Sequence, residues 1–168
     1  MPDPLGSRLL KALPSVASSY HRLLLLVGPN RFENSRSMRQ VGAELNSPII
    51  NINLELSQKL LELTGIIRSL RTPLILSQVI EMKAGEIVLL DNCEMLFDVS
   101  LEHDPLYLLQ RIARKQTLIC TWNGTYSDGR LIYAKAGHPE YRCYKSVEAK
   151  IVTMDESKTT SKSHLTGK

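Results

Sequence analysis

A chain of 168 residues is long enough for one domain with a proper core and too short for two comfortable ones. Its 43% hydrophobic residues supply a packed interior, while 23% charged residues and a net charge of +4 admit an acidic partner such as DNA without requiring one. Cys93, Cys120 and Cys143 make no C-x-x-C pair and His21, His103, His138 and His164 no ligand spacing, so neither a disulfide framework nor a zinc site is expected.

In chain order, Leu5, Leu9, Leu10 and Leu13 recur at helical spacing, and Pro14 with the serines that follow predicts the end of that helix. Arg22 leads into a continuous apolar run, Leu23 to Val27, closed by Gly28-Pro29, the pattern of a strand covered on both faces. A polar loop is expected from Gly28 to about Glu33, then a helix over 35–45 carrying Met38, Val41 and Leu45 on one face. A short strand over 48–52 follows, with Asn53 as N-cap of a helix over 54–71 that Gly65 weakens. Pro73 is read as opening a shorter helix through Met82.

Glu86 to Asp91 is a third buried strand ending on an acid, 101–115 a helix, and Thr117 to Trp122 a fourth strand stopping at Asn123-Gly124. Leu131 to Ala136 is a fifth strand, with edge strands expected at 141–144 and 149–153. Residues 154–168 are Ser, Thr and Lys with few apolar side chains, the composition of a disordered tail. The longest apolar run, Leu23 to Val27, is far too short to cross a bilayer, and with no signal-like segment at the start a cytoplasmic protein without membrane contact is expected.

Strands alternating with helices predict a three-layer α/β sandwich with a mainly parallel sheet of about five strands, one domain over 1–153. Only Gly124 to Arg130 separates the fourth strand from the fifth, too few residues for a parallel crossover, so the fifth should run antiparallel and bring Tyr126 or Asp128 over the mouth of the site. Ligands of such sheets sit at the carboxyl ends of the strands, which directs attention to three segments.

The first is Gly28-Pro29-Asn30-Arg31-Phe32-Glu33-Asn34-Ser35, followed by Arg36, between strand and helix. Against the phosphate-binding pattern G-x-x-x-x-G-K-[ST], Gly28 and Ser35 fit, with Ser35 as a Mg²⁺ ligand. Glu33 stands in place of the second Gly and Asn34 in place of the Lys, so a side chain obstructs the turn, a carboxylate repels phosphate and the main cation is lost. Arg31 or Arg36 is the candidate replacement cation, and an ordinary strand-to-helix loop is the alternative.

The second is Asp91 with Glu94, a strand-end acid to hold Mg²⁺ and a candidate base for the attacking water, against a capping Asp and a solvent-facing Glu. The third is Asn123, a candidate γ-phosphate sensor as in additional-strand P-loop ATPases, against a plain Asn-Gly turn.

Val27-Gly28-Pro29, the segment Glu86 to Asp98, and above all the block from Thr121 to Tyr144 resemble BrxF, the family of small P-loop proteins of type-3 BREX (bacteriophage exclusion) defence systems. Trp122-Asn123-Gly124, Leu131 with Tyr133-Ala134, and Gly137-His138-Pro139-Glu140-Tyr141 carry that block. The resemblance implies a P-loop NTPase-like core without a C-terminal lid, a role in restricting phage beside a large ATPase, and Gly28, Ser35, Asp91 and Glu94 at the nucleotide-site positions. ATP with Mg²⁺, or a site that binds none, are both compatible with the residues.

Three functions follow: a non-catalytic or weakly binding subunit that assembles with other BREX proteins, foremost the large ATPase; an ATPase completed in a homo-oligomer with Arg111 or Arg114 as a finger; and a DNA-contacting module using Arg8, Lys11, Arg22 and the Lys-bearing tail.

Overall fold

A computed structural model describes residues 4–82 and 85–153; the tail expected over 154–168 lies outside them. In chain order the elements are α1 (Pro4–Ala17), β1 (Leu23–Gly28), α2 (Arg31–Leu45), β2 (Ile49–Asn51), α3 (Ile52–Leu60), α4 (Gly65–Met82), β3 (Ile87–Asp91), two short 3₁₀ turns (Glu94–Phe97 and Val99–Leu101), α5 (Pro105–Ile112), β4 (Thr117–Ser127), β5 (Arg130–Tyr133), β6 (Arg142–Tyr144) and β7 (Lys150–Thr153).

The strands lie in the order β2-β3-β4-β1-β7, all parallel, with Gly28 of β1 opposite Asn123 of β4 and Asn51 of β2 opposite Asp91 of β3. The apolar runs explain why. Leu23, Leu25 and Val27 point to one face, where they meet Val88, Leu90, Leu118, Trp122 and the helices α3, α4 and α5. Leu24 and Leu26 point to the other, against Leu89, Ile119 and Val152, with Leu9, Val16, Met38 and Val41 of α1 and α2. A strand buried on both sides needs no alternation, and each such Leu contributes about 1.5–3 kcal/mol by leaving water. The fold is a three-layer α/β sandwich around a mostly parallel sheet.

Several boundaries differ from the sequence reading. α1 runs through Pro14 to Ala17, because Val16 is buried and side-chain hydroxyls serve the carbonyls of the last turns: Ser15 Oγ donates to Ala12 O, Ser18 and Ser19 Oγ to Ser15 O. The helix expected over 54–71 is two helices. Asn51, not Asn53, caps the first, its Oδ1 accepting from Leu54 N, and the break falls at residues 61–64.

Pro73 lies inside α4 rather than at its start. Its missing N–H leaves the carbonyl of Ser69 without a helical donor, and the His103 ring nitrogen Nε2 supplies that hydrogen bond from outside the helix. α5 begins at Pro105 rather than at 101, since Glu102 sits in the left-handed region and Asp104 caps the new start by accepting from Tyr107 N.

β4 does not stop at Trp122. It continues for five residues past that point as one arm of an antiparallel ribbon with β5, and β6 adds to β5. The ribbon turns at Asp128-Gly129, both with positive φ (55° and 71°), the two-residue turn whose twist suits a hairpin. Asn123-Gly124 is therefore mid-strand. Gly124 is required there for space: a Cβ would lie 2.0 Å from the carbonyl oxygen of Ile132, which also accepts from Trp122 Nε1 at 3.1 Å. The ribbon packs back through Phe97 and Tyr133, stacked with centroids 3.5 Å apart, and Trp122 edge-on to both. That antiparallel fifth strand agrees with the short connection seen in the sequence.

Candidate functional site

β1 passes to α2 through Pro29 and Asn30 alone, so the polar loop expected from Gly28 to about Glu33 is cut short: Arg31, Phe32, Glu33, Asn34, Ser35 and Arg36 are helical. The reason is local. Asn30 is an N-cap in extended conformation, and its Oδ1 accepts from Phe32 N at 3.0 Å and Glu33 N at 3.2 Å, while Asn34 N donates to Asn30 O. Glu33 thus does not block a turn; it stands in the first helical turn, where the helix dipole favours a carboxylate. The backbone N–H groups that a phosphate would take are already taken by the chain's own side chain.

Arg31 and Phe32 face solvent with the guanidinium 5.5 Å from the ring centroid, and Arg36 is exposed on the same helix. Ser35 is half-buried.

Asn34, fully buried, turns inward. Its Nδ2 donates to Gly28 O at 2.9 Å and to Asn123 Oδ1 at 2.8 Å. Asn123 Nδ2 donates onward to Glu94 Oε1, and the other carboxylate oxygen, Oε2, accepts from Asn53 Nδ2 at 2.8 Å. Asn53 Oδ1 in turn accepts from Met95 N, and its backbone N–H bonds Asn92 O. One chain of hydrogen bonds, Asn34–Asn123–Glu94–Asn53, therefore ties the carboxyl ends of β1, β3 and β2 to the point where β4 leaves the parallel sheet. The carboxylate sets its polarity: each amide beside Glu94 must present its NH₂ there, so Asn123 presents oxygen to Asn34. Asn34 Oδ1 is left buried without a partner.

Asp91 sits beside this chain, 7% exposed. Its Oδ1 accepts from Thr121 Oγ1 at 2.7 Å and from Asn92 N at 2.8 Å, with Asn92 in the left-handed region. Beneath lie Cys93 and Cys120, Sγ atoms 3.2 Å apart and both reduced. The hydrogen bond to Cys120 and then burial hold the Cys93 thiol well above its usual range. Tyr133, on the ribbon, is pushed up to about 12, first by burial and then by Glu140 and Glu94.

A triphosphate with Mg²⁺ does not fit these residues. The helix N-terminus is self-capped, the loop that would wrap a phosphate is two residues long with no Lys, and Glu94 has both oxygens held by amides rather than free to take a proton from water. Among the described residues no three His, Cys, Asp or Glu stand together as a metal-ligand set.

Of the residues singled out in the sequence, Gly28, Asn34, Glu94 and Asn123 are brought together, with Asp91 bonded to Thr121, two residues before Asn123 on β4. Tyr126 packs against the core and Asp128 is at the ribbon tip. Arg111 and Arg114 are at the other end of the sheet, over the rings of Tyr107 and Tyr20, and Arg22 donates to Arg114 O. Asn53, Asn92 and Thr121 were missed. The signal for Asn53 was Asn51-Ile52-Asn53: two Asn at a strand end, of which a cap uses only one.

No family model matches the sequence, and no curated protein is a match. The solved structure of C. elegans PCH-2 aligns with 90% of this chain at 18% identity and a TM-score of 0.44; the chain spans 40% of that one. The structure is a three-layer α/β domain with a mostly parallel sheet and a hydrogen-bonded polar network above the parallel strands. No helix among the described residues is long and apolar enough to cross a membrane.

Proposed function

We propose that this chain is a P-loop NTPase-fold subunit that has exchanged nucleotide chemistry for structure, and that it serves a BREX-type anti-phage system by assembling with that system's large ATPase. The carrying observation is the double closure of the site: Asn30 occupies the N–H groups at the start of α2, and two Asn amides occupy the carboxylate of Glu94. The order β2-β3-β4-β1, with β4 inserted between β1 and β3, supports the additional-strand P-loop reading, as does an acid at the end of β3. The defence role rests on the resemblance of the Thr121 to Tyr144 block.

Calorimetric titration with ATP and Mg²⁺ tests the closure: no heat of binding is expected at 1 mM nucleotide, and micromolar binding abolished by Asp91→Ala would overturn it. Co-purification from cells carrying a whole type-3 operon tests the assembly; recovery of this chain free of the large ATPase would refute that part.

A further inference from the structure

α4 is apolar on two sides. Its inward side buries Ser69, Thr72, Ile75, Leu76, Val79 and Ile80. Its outward side, with Leu61 just before it, exposes Leu61 by 73%, Ile66 by 78%, Ile67 by 43%, Leu70 by 74%, Leu74 by 53% and Met82 by 76%. Scattered exposed Leu are ordinary, but five exposed apolar side chains on one helix, with Leu61 in the turn before it, are not. The steps 67, 70, 74 alternate three and four residues, the seam by which one helix packs on another.

We infer that this stripe is the contact of a two-fold homodimer, formed by α4 lying antiparallel on α4 of a second copy. The spacing is self-complementary. With the two-fold axis passing near position 72, Leu70 of each copy meets Leu74 of the other and Ile66 meets the aliphatic stem of Gln78. A two-fold interface requires such matching of one patch to itself, and antiparallel helices also set their dipoles in opposition.

The size agrees. A burial value of 1.5–3 kcal/mol per Leu or Ile at 25 cal/mol per Å² corresponds to roughly 60–120 Å² per side chain, so the six expose on the order of 250–450 Å². A standard interface takes about 800 Å² from each partner, of which about 56–65% is apolar; Arg71, Gln78 and Glu62 at the margin provide the polar remainder. The chain's own segment 154–168 holds only Met154 and Leu165 as large apolar residues, too few to cover the stripe instead. The stripe is on helix surface, not at the strand ends, so the inference does not depend on the nucleotide reading.

Sedimentation equilibrium of the full chain is the test. Twice the chain mass is expected at 50 μM, and Leu70→Glu with Leu74→Glu should give a monomer with unchanged circular dichroism. A wild-type monomer at that concentration, the outcome if a different protein covers the stripe, overturns the inference. So does a dimer that survives both substitutions. Should the Glu variant misfold, Arg71→Cys in a Cys143→Ser background, which removes the exposed native thiol, reads the same geometry: a disulfide-linked dimer under mild oxidation is expected, and a persistent monomer band overturns it.

Discussion

Replacing Glu94 by Ala removes the carboxylate that orients the strand-end network. In the native chain Glu94 accepts from Asn123 Nδ2 and Asn53 Nδ2, both part-buried bonds to a charged acceptor. Such bonds contribute about 1.5–3 kcal/mol each, and partial exposure puts these at the low end, so Glu94→Ala should cost about 2–4 kcal/mol. At about 2–4 °C per kcal/mol for a chain of this size, Tm falls by roughly 4–16 °C. Glu94→Gln discriminates further. A Gln can accept from only one amide; to meet its NH₂ the Asn123 amide must turn over, and Asn34 with it. That turn gives Asn34 Oδ1 its missing donor but deprives Gly28 O of one, for a net loss of about one hydrogen bond, about 1 kcal/mol. The ordering wild type, Glu94→Gln, Glu94→Ala should appear in differential scanning calorimetry or urea melts. If both variants melt within 1 °C of wild type, the carboxylate does not hold the network and the closed-site argument fails.

Gly124→Ala forces a Cβ against Ile132 O and should separate β5 from β4, destabilising by about 1–3 kcal/mol in urea and shifting Trp122 fluorescence to the red as the ribbon opens; an unchanged spectrum and midpoint would contradict the packing. His103→Ala leaves the Ser69 carbonyl opposite Pro73 without a donor and should cost about 1–3 kcal/mol, with Pro73→Ala in that background recovering part by restoring a helical N–H. Thiol titration with Ellman's reagent at pH 8 should find Cys143 reacting at once and Cys93 and Cys120 only in guanidinium, because burial and the mutual hydrogen bond keep Cys93 protonated. Alkali should destabilise: Tyr133 ionises near 10 when unfolded but only near 12 in the fold, so stability present below pH 10 is lost between those values in a urea-midpoint series.

The residues that read correctly in advance are those whose message is local. Leu23 to Val27 is apolar on every position, which suits only a strand covered on both faces, and the seven residues from Gly124 to Arg130 cannot make a parallel crossover. Asp91 at the end of an apolar run was recognisable as a strand-end acid, whereas Asn123, at the end of another, lies mid-strand because β4 runs on into the ribbon. The misread boundaries turn on partners distant in sequence. Pro73 looks like a helix start until His103, thirty positions away, is found serving the carbonyl it frees. Gly28 to Ser35 looks like a damaged phosphate loop because a string shows residue types at a spacing and not which N–H groups Asn30 has already taken.

By itself, then, the sequence determined the layered α/β class, the strand runs and the antiparallel turn of the fifth strand, since hydrophobic burial and chain reach act through neighbouring residues. Only the tertiary structure decided the length of the loop after β1, the roles of Asn34, Asn53 and Glu94, and the second apolar side of α4. Those depend on which groups meet across strands, and a hydrogen bond or a buried face exists only once its partner is in place.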